Sequence, residues 1–153
     1  AERKPQTRRR LLAAARAVFV ERGYHETRPQ DIARQAGLGH GTFYLHFADK
    51  RACFIGFVEQ AAHEIREAVA ARVRNVVDLP DFVSGVIDAV HDYSQENPGV
   101  LAAATIDSKI IGPSDRPEPT LLDYWAQDWA DLILRLSFFI YSSRLNSVVF
   151  VAI

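Results

Sequence analysis

The chain has 153 residues, 48% of them apolar and 24% charged, a balance that excludes disorder of the whole chain and suffices for one sizeable core or for a small domain plus a medium one. A lone cysteine, Cys53, cannot form an internal disulfide, so the fold does not depend on an oxidising compartment and the cytoplasm is the expected location. The net charge of −1 hides an asymmetry: residues 1–50 hold 10 Lys and Arg against 5 Asp and Glu, whereas residues 51–153 hold 8 against 14. A basic head on an acidic body is the charge distribution expected of a nucleic-acid reader with a separate regulatory region.

The first helix is expected over residues 7–22, with an apolar stripe of Leu11, Leu12, Ala15, Val18 and Phe19, and Gly23 as its stop. Its basic start followed by Leu11 to Val20 mimics a signal peptide, but Arg16 interrupts the apolar run and Glu21 and Arg22 follow at once. The Arg8–Arg10 run reads either as a solvated face or as an arm near the minor groove. A second helix should begin near Thr27, where Thr27-Arg28-Pro29-Gln30 reads as a capping box, and end at Gly37. Three glycines within residues 37–41 make a tight turn into a third short helix with Thr42, Phe43, Tyr44, His46 and Phe47. Asp49 is a suitable N-cap for a long fourth helix over residues 50–77, about 40 Å at 1.5 Å per residue, with Pro80 marking its break.

A fifth helix follows from Phe82, Val83, Val86, Ile87, Val90 and Tyr93 and ends at Asn97-Pro98. A sixth runs through Val100, Leu101, Thr105 and Ile106; residues 112–119 are a loop by composition. The helical period then returns strictly through Leu121, Leu122, Trp125, Trp129, Leu132, Ile133 and Leu136. Residues 136–153 are apolar enough to consider as a membrane span, but Arg144 and Asn146 near the middle favour a buried interface helix. The expected fold class is all-α: an N-terminal three-helix helix-turn-helix domain over 1–49 and a second helical domain over 50–153. Methionine is absent altogether, so the chain need not be the whole translated protein.

The second helix of a helix-turn-helix lies in the major groove. Here Ile32, Ala36, Leu38 and Phe43 are placed to hold the pair together, which leaves His40, Gly41, Thr42, Tyr44 and His46 on the outer face. Such a face is poor for a hydrophobic core and suited to bases and phosphates.

Residues Thr27-Arg28-Pro29-Gln30-Asp31-Ile32-Ala33-Arg34-Gln35-Ala36-Gly37-Leu38-Gly39-His40-Gly41-Thr42-Phe43-Tyr44-Leu45-His46-Phe47, then Lys50, with Gly23-Tyr24 before them, resemble the DNA-binding signature of the TetR family over about residues 7–55. The resemblance implies that Thr27, Tyr44, His46 and Lys50 hold phosphates, while Arg28, Gln30, His40 and Thr42 face the groove and Gly41 lets the helix enter it. Gln30 could read adenine and the Thr42 methyl a thymine methyl. Tyr44 also reads as a packing aromatic, and His40 and His46 as surface histidines. Gly39 departs from the family's usual Ser or Thr at the N-cap of the recognition helix, a loss of a few tenths of a kcal/mol.

The resemblance also implies a homodimer, a double-stranded DNA operator, and a small-molecule effector, apolar or aromatic, that releases a repressor. Candidate effector contacts are Phe82, Val86, Tyr93, Leu101, Trp125 and Trp129, each also readable as plain core. The family's last two helices usually make the dimer; residues 136–153 are too few for both, so those helices are shortened or segments are missing. No His-Glu-x-x-His, Cys-x-x-Cys, Gly-x-Ser-x-Gly or phosphate loop is present, so neither enzyme chemistry, a metal nor a cofactor is expected. The alternatives are a DNA-binding protein without an effector and a helical interaction module.

Overall fold

Apolar spacing resolves into six helices among residues 4–106, the part of the chain that this computed structural model describes: α1 (Lys4–Glu26), α2 (Pro29–Gln35), α3 (His40–Tyr44), α4 (Lys50–Val73), α5 (Leu79–Glu96) and α6 (Val100–Ile106), with no strand among them. The loop at 112–119, the helix through Trp125 and Trp129 and the apolar stretch at 136–153 lie outside the described residues.

α1 begins at Lys4, a turn earlier than the apolar stripe alone suggests. Pro5 sits in its first turn, where a missing N–H costs nothing. Gly23 (φ 74, ψ 171) leaves the helical region, so the regular helix ends where expected and a short further turn reaches Glu26. Leu11, Leu12, Ala15, Val18 and Phe19 form its buried face.

α4 is held at its start by Asp49, whose carboxylate accepts the Ala52 N–H at 2.7 Å. It ends at Val73, four residues short of the expected Val77, so its length is about 36 Å rather than 40 Å. Pro80 is not the break. Asp78 caps α5 by accepting the Asp81 N–H at 2.8 Å, and Pro80 lies in the first turn of that helix.

The core forms where α1 crosses α4. Phe19 meets Phe54 edge-on at 5.1 Å between ring centres and Phe57 at 5.8 Å, while Tyr24 approaches Phe54 at 5.0 Å. The helices come close because α4 presents Gly56 there: a Cβ at that position would lie 3.2 Å from Leu12 Cδ2. α5 packs on α4 through buried Phe82, Val86, Ala89 and Tyr93, and α6 packs on α1 and α4.

A polar cluster ties the same three helices laterally. The Arg16 guanidinium on α1 donates to Glu64 Oε2 on α4 at 2.7 Å, to the Tyr93 hydroxyl at 3.4 Å, and to the Asn97 Oδ1 that follows α5. The Tyr93 hydroxyl donates to the same Glu64 oxygen at 2.7 Å, and Gln60 donates to the other at 3.0 Å. Asn97 Nδ2 donates back to the Tyr93 carbonyl at 3.0 Å. Burial alone would raise the Glu64 carboxyl, but hydrogen bonds from Arg16, Tyr93 and Gln60 outweigh it and hold the group below its ordinary range. Burial and the bond to Glu64 push the Tyr93 hydroxyl up to about 12.

Two outcomes follow from this packing. A depressed carboxyl stabilises the fold above its unfolded value and loses that contribution as pH falls through its folded value. Thermal melts should therefore drop below the ordinary carboxylate value of 4.5, and less so in Glu64→Gln. Gly99 has φ +81, and a Cβ there would fall 2.7 Å from Val20 Cγ1. Gly99→Ala should destabilise by about 1–3 kcal/mol in urea denaturation.

Candidate nucleic-acid interface

Two short helices are held together from within. Ile32 and Ala33 of α2 and Phe43 of α3 are buried, and Phe43 stacks toward Phe47 at 5.6 Å. After Ala36 the chain turns through Gly37 (φ 66), whose N–H donates to the Arg34 carbonyl at 3.0 Å while the Leu38 N–H donates to Ala33 at 2.9 Å. That pair of bonds is a Schellman closure, and it needs the left-handed residue that glycine supplies. Arg10 of α1 donates to the Ala36 carbonyl at 2.9 Å, which fixes the far end of α2 to the first helix.

The entry to α2 differs from the expected capping box. The N-cap is Arg28, not Thr27. Asp31 accepts the Arg28 N–H at 3.2 Å, the reciprocal half of such a box, and also pairs with Arg34 at 2.5 Å. Thr27 is 1% exposed, and its hydroxyl donates to the Gly23 carbonyl at 2.7 Å. That proton is therefore committed to closing the α1–α2 corner and is not available to a phosphate in this conformation. Arg28 and Gln30 are exposed on the first turn of α2.

α3 is shorter than its apolar spacing suggests. It ends at Tyr44, and His46 and Phe47 follow in a turn, each N–H donating to the Phe43 carbonyl at 3.0 Å. Its N-cap is Gly39, without a side-chain cap. His40 and Gly41 are exposed, Tyr44 is 50% exposed, and Thr42 and His46 are half-buried. The His40 and Tyr44 rings meet edge-on at 5.2 Å, so these two candidates form one surface. A Cβ on Gly41 would meet nothing within 4 Å, which marks that position as open to an incoming surface.

Lys50, at the start of α4, donates to the Tyr24 carbonyl at 2.8 Å and to His25 at 3.3 Å, and lies 4.3 Å from the Tyr24 ring centre. The Thr27 N–H donates to the same Tyr24 carbonyl at 3.3 Å. Thr27 and Lys50 thus converge on one carbonyl although 23 positions separate them. Two of the three ammonium donors go to carbonyls, and the face of the Tyr24 ring adds a cation–π contact.

Leu45, which lies within the signature but is given no role of its own, is 78% exposed beside Tyr44. The Arg16 cluster escaped the sequence reading; its signal was a charge interrupting an apolar stripe. Of the candidate effector contacts, Phe82 and Val86 are buried where α5 packs on α4, and Leu101 is half-buried. Tyr93 lines an open cleft of about 640 Å³ with Arg16, Glu64, Glu67, Glu96 and Asn97. Trp125 and Trp129 lie outside the described residues. Among the described residues, no group of three or more His, Cys, Asp or Glu could hold a metal, and no helix is long and apolar enough to cross a membrane.

A short helix closed by a glycine turn onto a second, with a small and polar outer face, defines a helix-turn-helix protein. Residues 11–56 match the family described as bacterial regulatory proteins, tetR family. The chain is 30% identical over 132 residues to the HTH-type transcriptional regulator UidR of Escherichia coli K12, covering 82% of this chain and 65% of that protein. It is 29% identical over 97 residues to the HTH-type transcriptional activator FasR of Mycolicibacterium smegmatis, covering 62% and 44%. It therefore spans about half to two thirds of the length of these relatives. The fold is shared with the fatty acid degradation regulator FadR from Bacillus halodurans, at TM-score 0.68 and 15% identity over 95% of this chain and 72% of that one. It is shared likewise with a TetR family transcription regulator from Marinobacter aquaeolei VT8, at TM-score 0.67 and 16% identity over 92% and 69%. Residues 11–56 thus form an N-terminal domain of the tetR-family type.

If the Thr27 hydroxyl closes the corner at Gly23, Thr27→Val should lower stability by about 1 kcal/mol in the absence of DNA. Unchanged urea denaturation in Thr27→Val would show that the hydroxyl contributes nothing to the fold.

Proposed function

We propose that the chain is a DNA-binding transcriptional regulator that acts as a homodimer, a repressor released from a palindromic operator by a small-molecule effector. The observation that carries this reading is the outer face of α3, where His40, Gly41 and Tyr44 are exposed on a helix whose buried face is fully engaged. The basic balance of residues 1–50 supports it, because phosphate neutralisation supplies most of the affinity of such proteins. So do relatives named as transcriptional regulators.

In this reading α3 enters the major groove, with His40 and Thr42 toward the bases and Arg28 and Gln30 at its edge. Tyr44, His46 and Lys50 take phosphates. Thr27 positions the start of α2 through its own hydrogen bonds. Two copies of α3 meet successive grooves, about 34–36 Å apart. The division is a DNA-binding domain over 1–49 and an effector and dimerisation domain over 50–153. An apolar or aromatic effector is the class we assign, and one relative, the fatty acid metabolism regulator protein of Bacillus subtilis, is compatible with it. Release needs only that the effector bind the DNA-incompetent arrangement better. No catalytic role is assigned.

The test is a titration against fragments from the upstream region of the gene that encodes the chain, at 50 and 200 mM salt, with wild type and Gly41→Leu. Wild type should select one fragment and lose on the order of 10³–10⁵ in affinity at the higher salt if 6–10 phosphates are contacted. Gly41→Leu, which has free space around its Cβ, should keep its melting behaviour and lose the preference between fragments. Equal, weak binding of every fragment by both proteins would refute the reading.

A further inference from the structure

α1 carries the helix-turn-helix: Arg10 holds the end of α2, and the buried stripe through Phe19 holds α4. A dimer that reads two half-sites also needs a fixed angle between this head and the helices behind it, because that angle sets the distance between the two recognition helices. The aromatic contact at Phe19 resists separation but is non-directional, so it defines the angle only loosely.

A second, directional tie lies further along. Arg16 reaches Glu64 in the middle of α4 and Asn97 at the end of α5, and the Tyr93 hydroxyl accepts from Arg16 and donates to the same Glu64 oxygen. One turn later on the same helix, Val20 abuts Gly99 so closely that no Cβ would fit. The α5–α6 corner thus grips α1 at two successive turns. A planar guanidinium with three partners at fixed positions accepts one orientation of its helix, which an apolar contact does not impose. The cluster borders the open cleft, which none of the candidate DNA contacts lines.

We infer that Arg16 is a positioning residue for operator spacing: by joining α1 to Glu64 and Asn97 it fixes the angle of the head, and with it the half-site separation that the dimer accepts. This rests on the dimeric DNA-reader reading above.

The experiment is selection of bound sites from a random DNA library by the full chain, as wild type, Arg16→Ala, Asn97→Ala and Tyr93→Phe, with melting curves for each. Wild type should return paired half-sites at one separation. Arg16→Ala should return the same half-site sequence at several separations, and its preference for the best spacing over one shifted by a base pair should fall by about tenfold, the loss expected of charged hydrogen bonds. Asn97→Ala and Tyr93→Phe should do so to a smaller degree, and either carries the test should Arg16→Ala fail to fold. Affinity for an isolated half-site should not change, an outcome that mere loss of stability would not produce. Spacing that stays sharp in every folded variant overturns the inference and leaves the DNA-reader reading intact. A wild type that returns no paired half-sites overturns both.

Discussion

Phe19 of α1, set between Phe54 and Phe57 of α4, is the contact on which the rest of the described chain depends. Each of these rings is fully or almost fully buried, and burial of such a side chain is worth about 1.5–3 kcal/mol before the edge-on geometry adds its share. The contact keeps α1 against α4, with Gly56 permitting the close approach. It thereby sets the start of α4 beside the end of α1, so that Lys50 can reach the Tyr24 carbonyl and Thr27 can turn back onto Gly23. The entry of α2 follows from that corner.

The two helices of the candidate interface could not stand by themselves. With seven and five residues, α2 and α3 are far below the about 12–15 residues at which an isolated helix becomes marginal in water. Ile32 and Phe43, buried against their neighbours, and Arg10 on the Ala36 carbonyl supply what local propensity lacks. Because the inner face supplies the buried contacts, the outer face of α3 carries little structural duty beyond the ring contacts of Tyr44. That is why it tolerates Gly41, a helix-weakening residue, and an N-cap at Gly39 with no side chain to cap with.

What was legible in the sequence follows the range of the forces involved. The buried stripe of α1, the Gly37 closure and the Asp49 cap depend on residues a few positions apart and are present as read, whereas the stripe of α4 is buried only as far as Ile65 and that of α5 keeps Phe82, Val86 and Tyr93 while Val83 and Ile87 face outward. The end of α4 was not legible, since Val76 and Val77 continue the apolar period while Asp78 and Pro80 make a better beginning than continuation. The Thr27 cap misled in the same way: its hydroxyl had two backbone options, and the one it takes lies behind it. Arg16 was visible only as an interruption, because its partners lie 48 and 81 positions away. The resemblance to the family supplied the candidate interface residues, but it could not tell which of them, like Thr27 and Lys50, make hydrogen bonds that hold the head together.

The contrast between the apolar and polar ties of α1 bears on how such a head could be adjusted without unfolding. Separating Phe19 from Phe54 and Phe57 would expose large apolar surface at a cost comparable with the whole stability of a small domain. Breaking the Arg16 cluster exchanges protein hydrogen bonds for water at about 0.5–3 kcal/mol each, and its groups are partly solvated already. The first tie therefore determines whether the head is folded, and the second how it is held. In the proposed regulator, an effector that favours one arrangement by a few kcal/mol has enough differential affinity to work on the second tie and far too little to work on the first. Placing the directional, weaker tie where α1, α4 and the α5–α6 corner meet separates orientation from stability, and a protein that changes its DNA affinity while remaining folded requires that separation.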